Sequence, residues 1–164
     1  MKSKKTVFTA IAVVIIAVLI MINRNSTQQQ IDMANAMQLQ FEINGEEKVY
    51  NYNENNESYT TFDTQMKRKN GDVYDKNYSG IMLKNILAEM DVTVSDNTAV
   101  TVVCADQYEI QLTADEVNAD GNIYLITKEN GEKLAEEDGK FMLVVNWDEF
   151  STRWAKNVVK VKIQ

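Results

Sequence analysis

Residues 6–22, "TVFTAIAVVIIAVLIMI", form a run of 17 positions without a charge, with Lys2, Lys4 and Lys5 before it and Arg24 after it. A helix of that length just spans the hydrocarbon core of a bilayer. The lysines hold its N-terminal side in the cytoplasm, so the remainder of the chain is expected outside. A cleaved signal peptide needs a small-residue site soon after the apolar run. The A-x-A sequence nearby, Ala34-Asn35-Ala36, lies well beyond it. The single cysteine, Cys104, is too distant for a lipoprotein anchor. The expected organisation is a cytoplasmic basic tip and transmembrane signal anchor over 1–23, a polar stalk over 24–36, and an extracytoplasmic domain over 37–164.

The rest of the chain excludes much chemistry. It has no histidine, which removes Ser-His-Asp and Cys-His catalysis and every imidazole-bearing zinc site. One cysteine can form neither an internal disulfide nor a CxxC pair. Beyond the anchor, 13 basic residues face all 24 acidic ones, a balance of −11. Such a surface repels nucleic acid and anionic headgroups. The basic stretch "MKRKNG", 66–71, is the exception and reads as a solvated loop. The glycines are scattered and form no phosphate loop, and "NADGN" and "EEDGK" miss the calcium-loop spacing. No pair of carboxylates stands out as a glycosidase couple.

The period-2 pattern of "MQLQFEI" predicts a strand, and Asn44-Gly45 predicts a tight turn into a second strand, "EEKVYNY". "NENNES" reads as a loop. Ile81, Leu83, Ile86, Leu87 and Met90 predict a helix over about 80–90 with Ser79 as its N-cap. "AVTVVC" and "YEIQL" predict two strands joined around Ala105-Asp106-Gln107. Thr113-Ala114-Asp115-Glu116 fits a capping box and predicts a short helix. "NIYLIT", a turn at Asn130-Gly131, a strand within "FMLVVNW" and the closing "NVVKVKI" complete a strand-rich α+β domain with a mixed sheet.

Four segments, in order, carry a family resemblance. "NYSGIMLKNILAEMDV" resembles the Y-x-G-hydrophobic-x-L helix segment of the oxidoreductase molybdopterin-binding domain, the sulfite-oxidase-like fold. "VTVVCADQYEIQLTADEV" resembles its strand, D-G-Y turn and strand. "LITKENGEKLAEEDGKFMLVV" and "RWAKNVVKVKI" resemble its N-G-x-x-L and closing W-x-K segments. The likeness covers about residues 38–164. It implies a sulfite-oxidase molybdopterin-binding type of fold, with Gly80 in close backbone approach, Asp106 accepting backbone N–H groups in its turn, and Trp154 covering the core edge.

The departures shape the functional expectation. In metal-bearing members the molybdenum-ligating cysteine precedes the Y-x-G segment, whereas "TTFDTQMKRKNGDVYDKNYSG" has no cysteine, only Met66 to Arg68 near that place. A thioether is a poor ligand for a high-valent metal. The D-G-Y turn has become Asp106-Gln107-Tyr108. Cys104 alternates with Val100 and Val102 and reads as a buried, inert thiol. No cofactor is therefore expected, although the resemblance allows molybdopterin, and no catalytic or metal-ligating residue is assigned. The expectation is a membrane-anchored, extracytoplasmic, non-catalytic binding domain for a small ligand or a cell-surface protein partner. Its candidate ligand-binding residues are Lys67, Arg68, Asp106, Tyr108, Arg153 and Lys156, the basic side chains as partners of a phosphate or carboxylate and Tyr108 as a stacking ring. The alternatives are a pterin-dependent oxidoreductase or electron-transfer accessory, and a structural or assembly protein at the cell surface.

Overall fold

The computed structural model of the chain describes residues 37–164. The expected anchor and stalk lie outside the described residues. Within 37–164 no helix is long and apolar enough to cross a membrane.

The domain opens with the expected hairpin, β1 (Gln38–Ile43) and β2 (Glu46–Asn51). Asn44 and Gly45 both take positive φ, 51° and 84°, the geometry of a two-residue turn matched to strand twist. A second hairpin follows, β3 (Tyr59–Lys67) and β4 (Val73–Met82), paired over its whole length from Tyr59↔Ile81 to Lys67↔Val73. This narrows the solvated-loop reading of 66–71 to the exposed turn at 68–71. Met66 and Lys67 end a strand, and the Arg68 N–H to Asp72 O bond closes a tight turn.

The helix is shorter than the spacing suggested. α1 runs Leu83–Glu89 with Met82, not Ser79, at its N-cap. Ser79, Gly80 and Ile81 belong to β4, and the Ser79 hydroxyl bonds to that of Thr61. Ile81 and Leu83 are two apart, a strand spacing, and the helical spacing begins only at Leu83, with Ile86 and Leu87 buried beside it. Gly80 does approach a neighbouring backbone closely, but across the sheet: a Cβ there would lie 2.4 Å from the Leu125 carbonyl oxygen.

β5 (Val100–Cys104) and β6 (Glu109–Leu112) form the third hairpin, and α2 (Ala114–Asn118) carries both bonds of the capping box. β7 (Ile123–Glu129) turns at Asn130-Gly131 into β8 (Glu132–Lys133). A 3-10 turn at Glu136–Asp138, β9 (Met142–Val145), a second 3-10 turn at Ser151–Arg153 and β10 (Val158–Ile163) finish the chain.

The strands make two five-stranded sheets. One has the order β2-β1-β10-β5-β6, and the other runs β3-β4-β7-β8 with β9 also on β7. β1 and β10 are parallel, the remaining pairs antiparallel. The main core lies between them. Leu39, Phe41, Val102, Val161 and Ile163 of the first sheet join Ile81, Leu125 and Leu143 of the second, with α1 alongside. The outer face of the second sheet carries a smaller cluster, Tyr78, Tyr124, Ile126, Met142 and Val144, covered in part by Phe62 and Trp154. Cys104 is 4% exposed and packs in the main core, as its alternation with Val100 and Val102 predicts.

Candidate functional site

The β5–β6 turn and the segment before β10 are laced together by backbone bonds. The Cys104 N–H donates to the Tyr108 carbonyl and the Gln107 N–H to the Cys104 carbonyl, both at 2.9 Å. One Asp106 carboxylate oxygen accepts the Tyr108 N–H at 3.0 Å, the Asx-type bond expected of it. Opposite the turn, the Asn157 carbonyl accepts the Ala105 N–H at 2.9 Å. Asn157 is held at a φ of 54°, its amide donating to the Glu137 carbonyl and its N–H to the Asp138 carbonyl. Trp154 donates its indole N–H to the Val145 carbonyl at 2.8 Å, and its ring meets Tyr78 edge-on.

Between these segments lies a pocket of about 420 Å³ lined by Cys104, Ala105, Asp106, Tyr108, Trp154, Ala155, Lys156 and Asn157. Tyr108 is half exposed at its rim. Lys156 forms an ion pair with Asp138, whose side chain is only 14% exposed. Burial, and then the nearby Asp106 carboxylate, push the Cys104 thiol up from its ordinary value. The thiol at the pocket floor is therefore the protonated, poorly nucleophilic form.

Three of the six candidate residues, Asp106, Tyr108 and Lys156, meet at this pocket. The other three do not line it. Lys67 and Arg68 sit at the end of the β3–β4 hairpin, where the Arg68 guanidinium lies 5.0 Å from the centre of the Tyr74 ring and Ser151 donates to the Lys67 carbonyl. Arg153 forks onto Asp148 and also donates to Glu116 at 2.6 Å. Those two carboxylates raise its pKa and hold its donors. Sequence reasoning passed over Asn157 as a wall of the site. Its signal was faint, since a positive-φ Asn is readable only where a turn is already recognised. A larger surface hollow of about 520 Å³ lies along β3 and β4, but its polar groups bond to one another, Asn77 to Asp63 and Gln65 to Asp75.

These residues do not make the donor set of a thiolate-bound molybdenum. The place before β4 offers Met66, and the only thiol belongs to the other sheet, buried and protonated. Among the described residues no group of three or more His, Cys, Asp or Glu side chains is placed to hold a metal ion.

Comparison with known proteins gives the fold a lineage. The chain is similar to the structure titled sulfane dehydrogenase SoxCD from Paracoccus pantotrophus, with a TM-score of 0.58 and 18% identity over 77% of this chain. The match takes in 37% of that chain, so this protein spans well under half of its length. At this identity the likeness is one of fold. No curated protein matches. The family described as the oxidoreductase molybdopterin binding domain matches residues 38–164, the whole described domain but its first residue, and the chain belongs to that family.

Proposed function

We propose that this protein is a membrane-anchored, extracytoplasmic and non-catalytic binding domain built on the molybdopterin-oxidoreductase fold. In this reading residues 1–23 anchor it, 24–36 form its stalk, and 37–164 bind a small ligand or a cell-surface partner. The observation that carries the reading is the division between two places. The stretch before β4, where the family resemblance implies a ligating thiolate, has no cysteine, while Asp106, Tyr108 and Lys156 line a pocket of about 420 Å³ between the β5–β6 turn and residues 154–157. That volume lies within the usual range of small-molecule sites. Family membership supports a second reading, a pterin-dependent oxidoreductase with unusual ligation, and one experiment separates the two. The full chain is purified in neutral detergent from a host able to make molybdopterin, then weighed by native mass spectrometry with metal analysis. The expected result is the bare polypeptide mass and no molybdenum or tungsten. One equivalent of either metal per chain overturns the non-catalytic reading.

A further inference from the structure

We propose that the pocket between the β5–β6 turn and residues 154–157 takes an organic ammonium on an apolar body, with Asp106 as its counter-ion. The inference rests on this pocket being the domain's ligand site. It adds the chemical class of the ligand.

The argument is one of charge already committed. Lys156 is the only cation among the residues lining the pocket, and its ammonium is held by Asp138. An anionic ligand meets an ammonium whose charge Asp138 already offsets, and drawing Lys156 away would leave Asp138, with its side chain 14% exposed, without its counter-ion. Asp106 is in the opposite position. It accepts one turn N–H and forms no ion pair among the described residues, so a cation can approach it without displacing anything.

The walls favour the same class. Tyr108 presents a half-exposed ring beside Asp106, and Trp154 contributes a partly buried one. Aromatic faces attract ammonium groups through the ring quadrupole, and a carboxylate alongside adds to the attraction. The floor is apolar, formed by Cys104 and Ala155, and suits a hydrocarbon body. The raised pKa of the Cys104 thiol, due to burial and to Asp106, is a further sign that negative charge is disfavoured there.

The test uses the full chain in neutral detergent and three probes in calorimetric titration: phenethylammonium, the similarly shaped 3-phenylpropionate, and inorganic phosphate. Phenethylammonium is expected to bind saturably at one per chain, at least tenfold more tightly than either anion. Asp106→Asn keeps an acceptor for the Tyr108 N–H, so it retains the turn, which an unchanged unfolding midpoint checks. It is expected to weaken phenethylammonium at least fivefold. Lys156→Gln frees Asp138 and is expected to leave ammonium binding as tight or tighter. Ammonium binding indifferent to Asp106→Asn overturns the inference. So does tighter binding of an anion that Lys156→Gln abolishes, although the pocket would then still be the ligand site. If no probe binds, the inference and the choice of this pocket fall together.

Discussion

Gln107 occupies a backbone position with a φ of 68°, in the turn where the family resemblance has a glycine. A side chain in this left-handed region costs about 1–2 kcal/mol, because its Cβ crowds the adjoining carbonyl. Glycine avoids that cost but loses more freedom on folding, by about 0.5–1 kcal/mol. Gln107→Gly is therefore expected to stabilise the domain by about 0.5–1 kcal/mol, read as a higher urea midpoint at unchanged slope. Gly80 presents the reverse case. A methyl group there would stand 2.4 Å from the Leu125 oxygen and 2.6 Å from the Ile126 Cα, both backbone atoms of a strand paired on each side. Neither can yield without disturbing β7. Gly80→Ala should cost about 3 kcal/mol by the same measurement. The requirement for a small residue at Gly80 was legible from the resemblance. The backbone it approaches was not, because the sequence pattern placed Gly80 at a helix start rather than in the strand that meets β7.

Hairpins were the most legible elements, and the reason is local. Asn44-Gly45 and Asn130-Gly131 supply two successive positive-φ residues, and β1 and β5 each have one buried face that fixes their period. The β3–β4 hairpin lacks that second signal. Thr60, Thr61, Asp63, Gln65 and Lys67 are exposed along β3, and Phe62, Thr64 and Met66 opposite them are only half buried. With polar residues on both faces its alternation disappears into the composition. α2 was readable from its capping box, but the tertiary role of Glu116 was not. Glu116 accepts from the Thr113 N–H and hydroxyl and also from Arg153, which ties the helix to the second 3-10 turn. Arg153, foremost, and the Thr113 bonds hold the Glu116 carboxyl below its ordinary value of 4.5, against an opposing effect of burial. A carboxylate lowered in the folded state stabilises at pH values above its unfolded pKa. That contribution fades as the pH falls through the lowered folded value. Glu116→Gln is expected to cost about 1–2 kcal/mol at pH 7, and the gap to wild type should narrow steadily below about pH 4.5. Paired urea titrations at pH 7 and pH 3.5 test this, and a gap of constant size would place the effect in packing rather than charge.

At the scale of the molecule the last strand is a central one. β10 lies between β1 and β5 in the first sheet, parallel to β1 through Phe41↔Val161 and antiparallel to β5 through Val161↔Val102. Its Val158, Val161 and Ile163 are buried in the main core. The β1–β2 hairpin reaches the rest of its sheet only through this strand, so the sheet remains in two pieces until the chain is complete. The β1–β10 pairing joins segments roughly 120 residues apart, and contacts of such separation slow folding because the loop must close before they form. Removal of 158–164 should therefore not merely loosen an end. It takes three buried side chains from the core and leaves two inner strands, β1 and β5, with unpaired edges. Burial of three branched apolar side chains contributes about 1.5–3 kcal/mol each, which together approaches the whole stability of a typical domain. The truncated chain is expected to show no cooperative urea transition and no slow-exchanging amides in β1 or β5. A truncated chain that still unfolds cooperatively, with β7 amides protected and β5 amides not, would mean that the second sheet and α1 fold without the first.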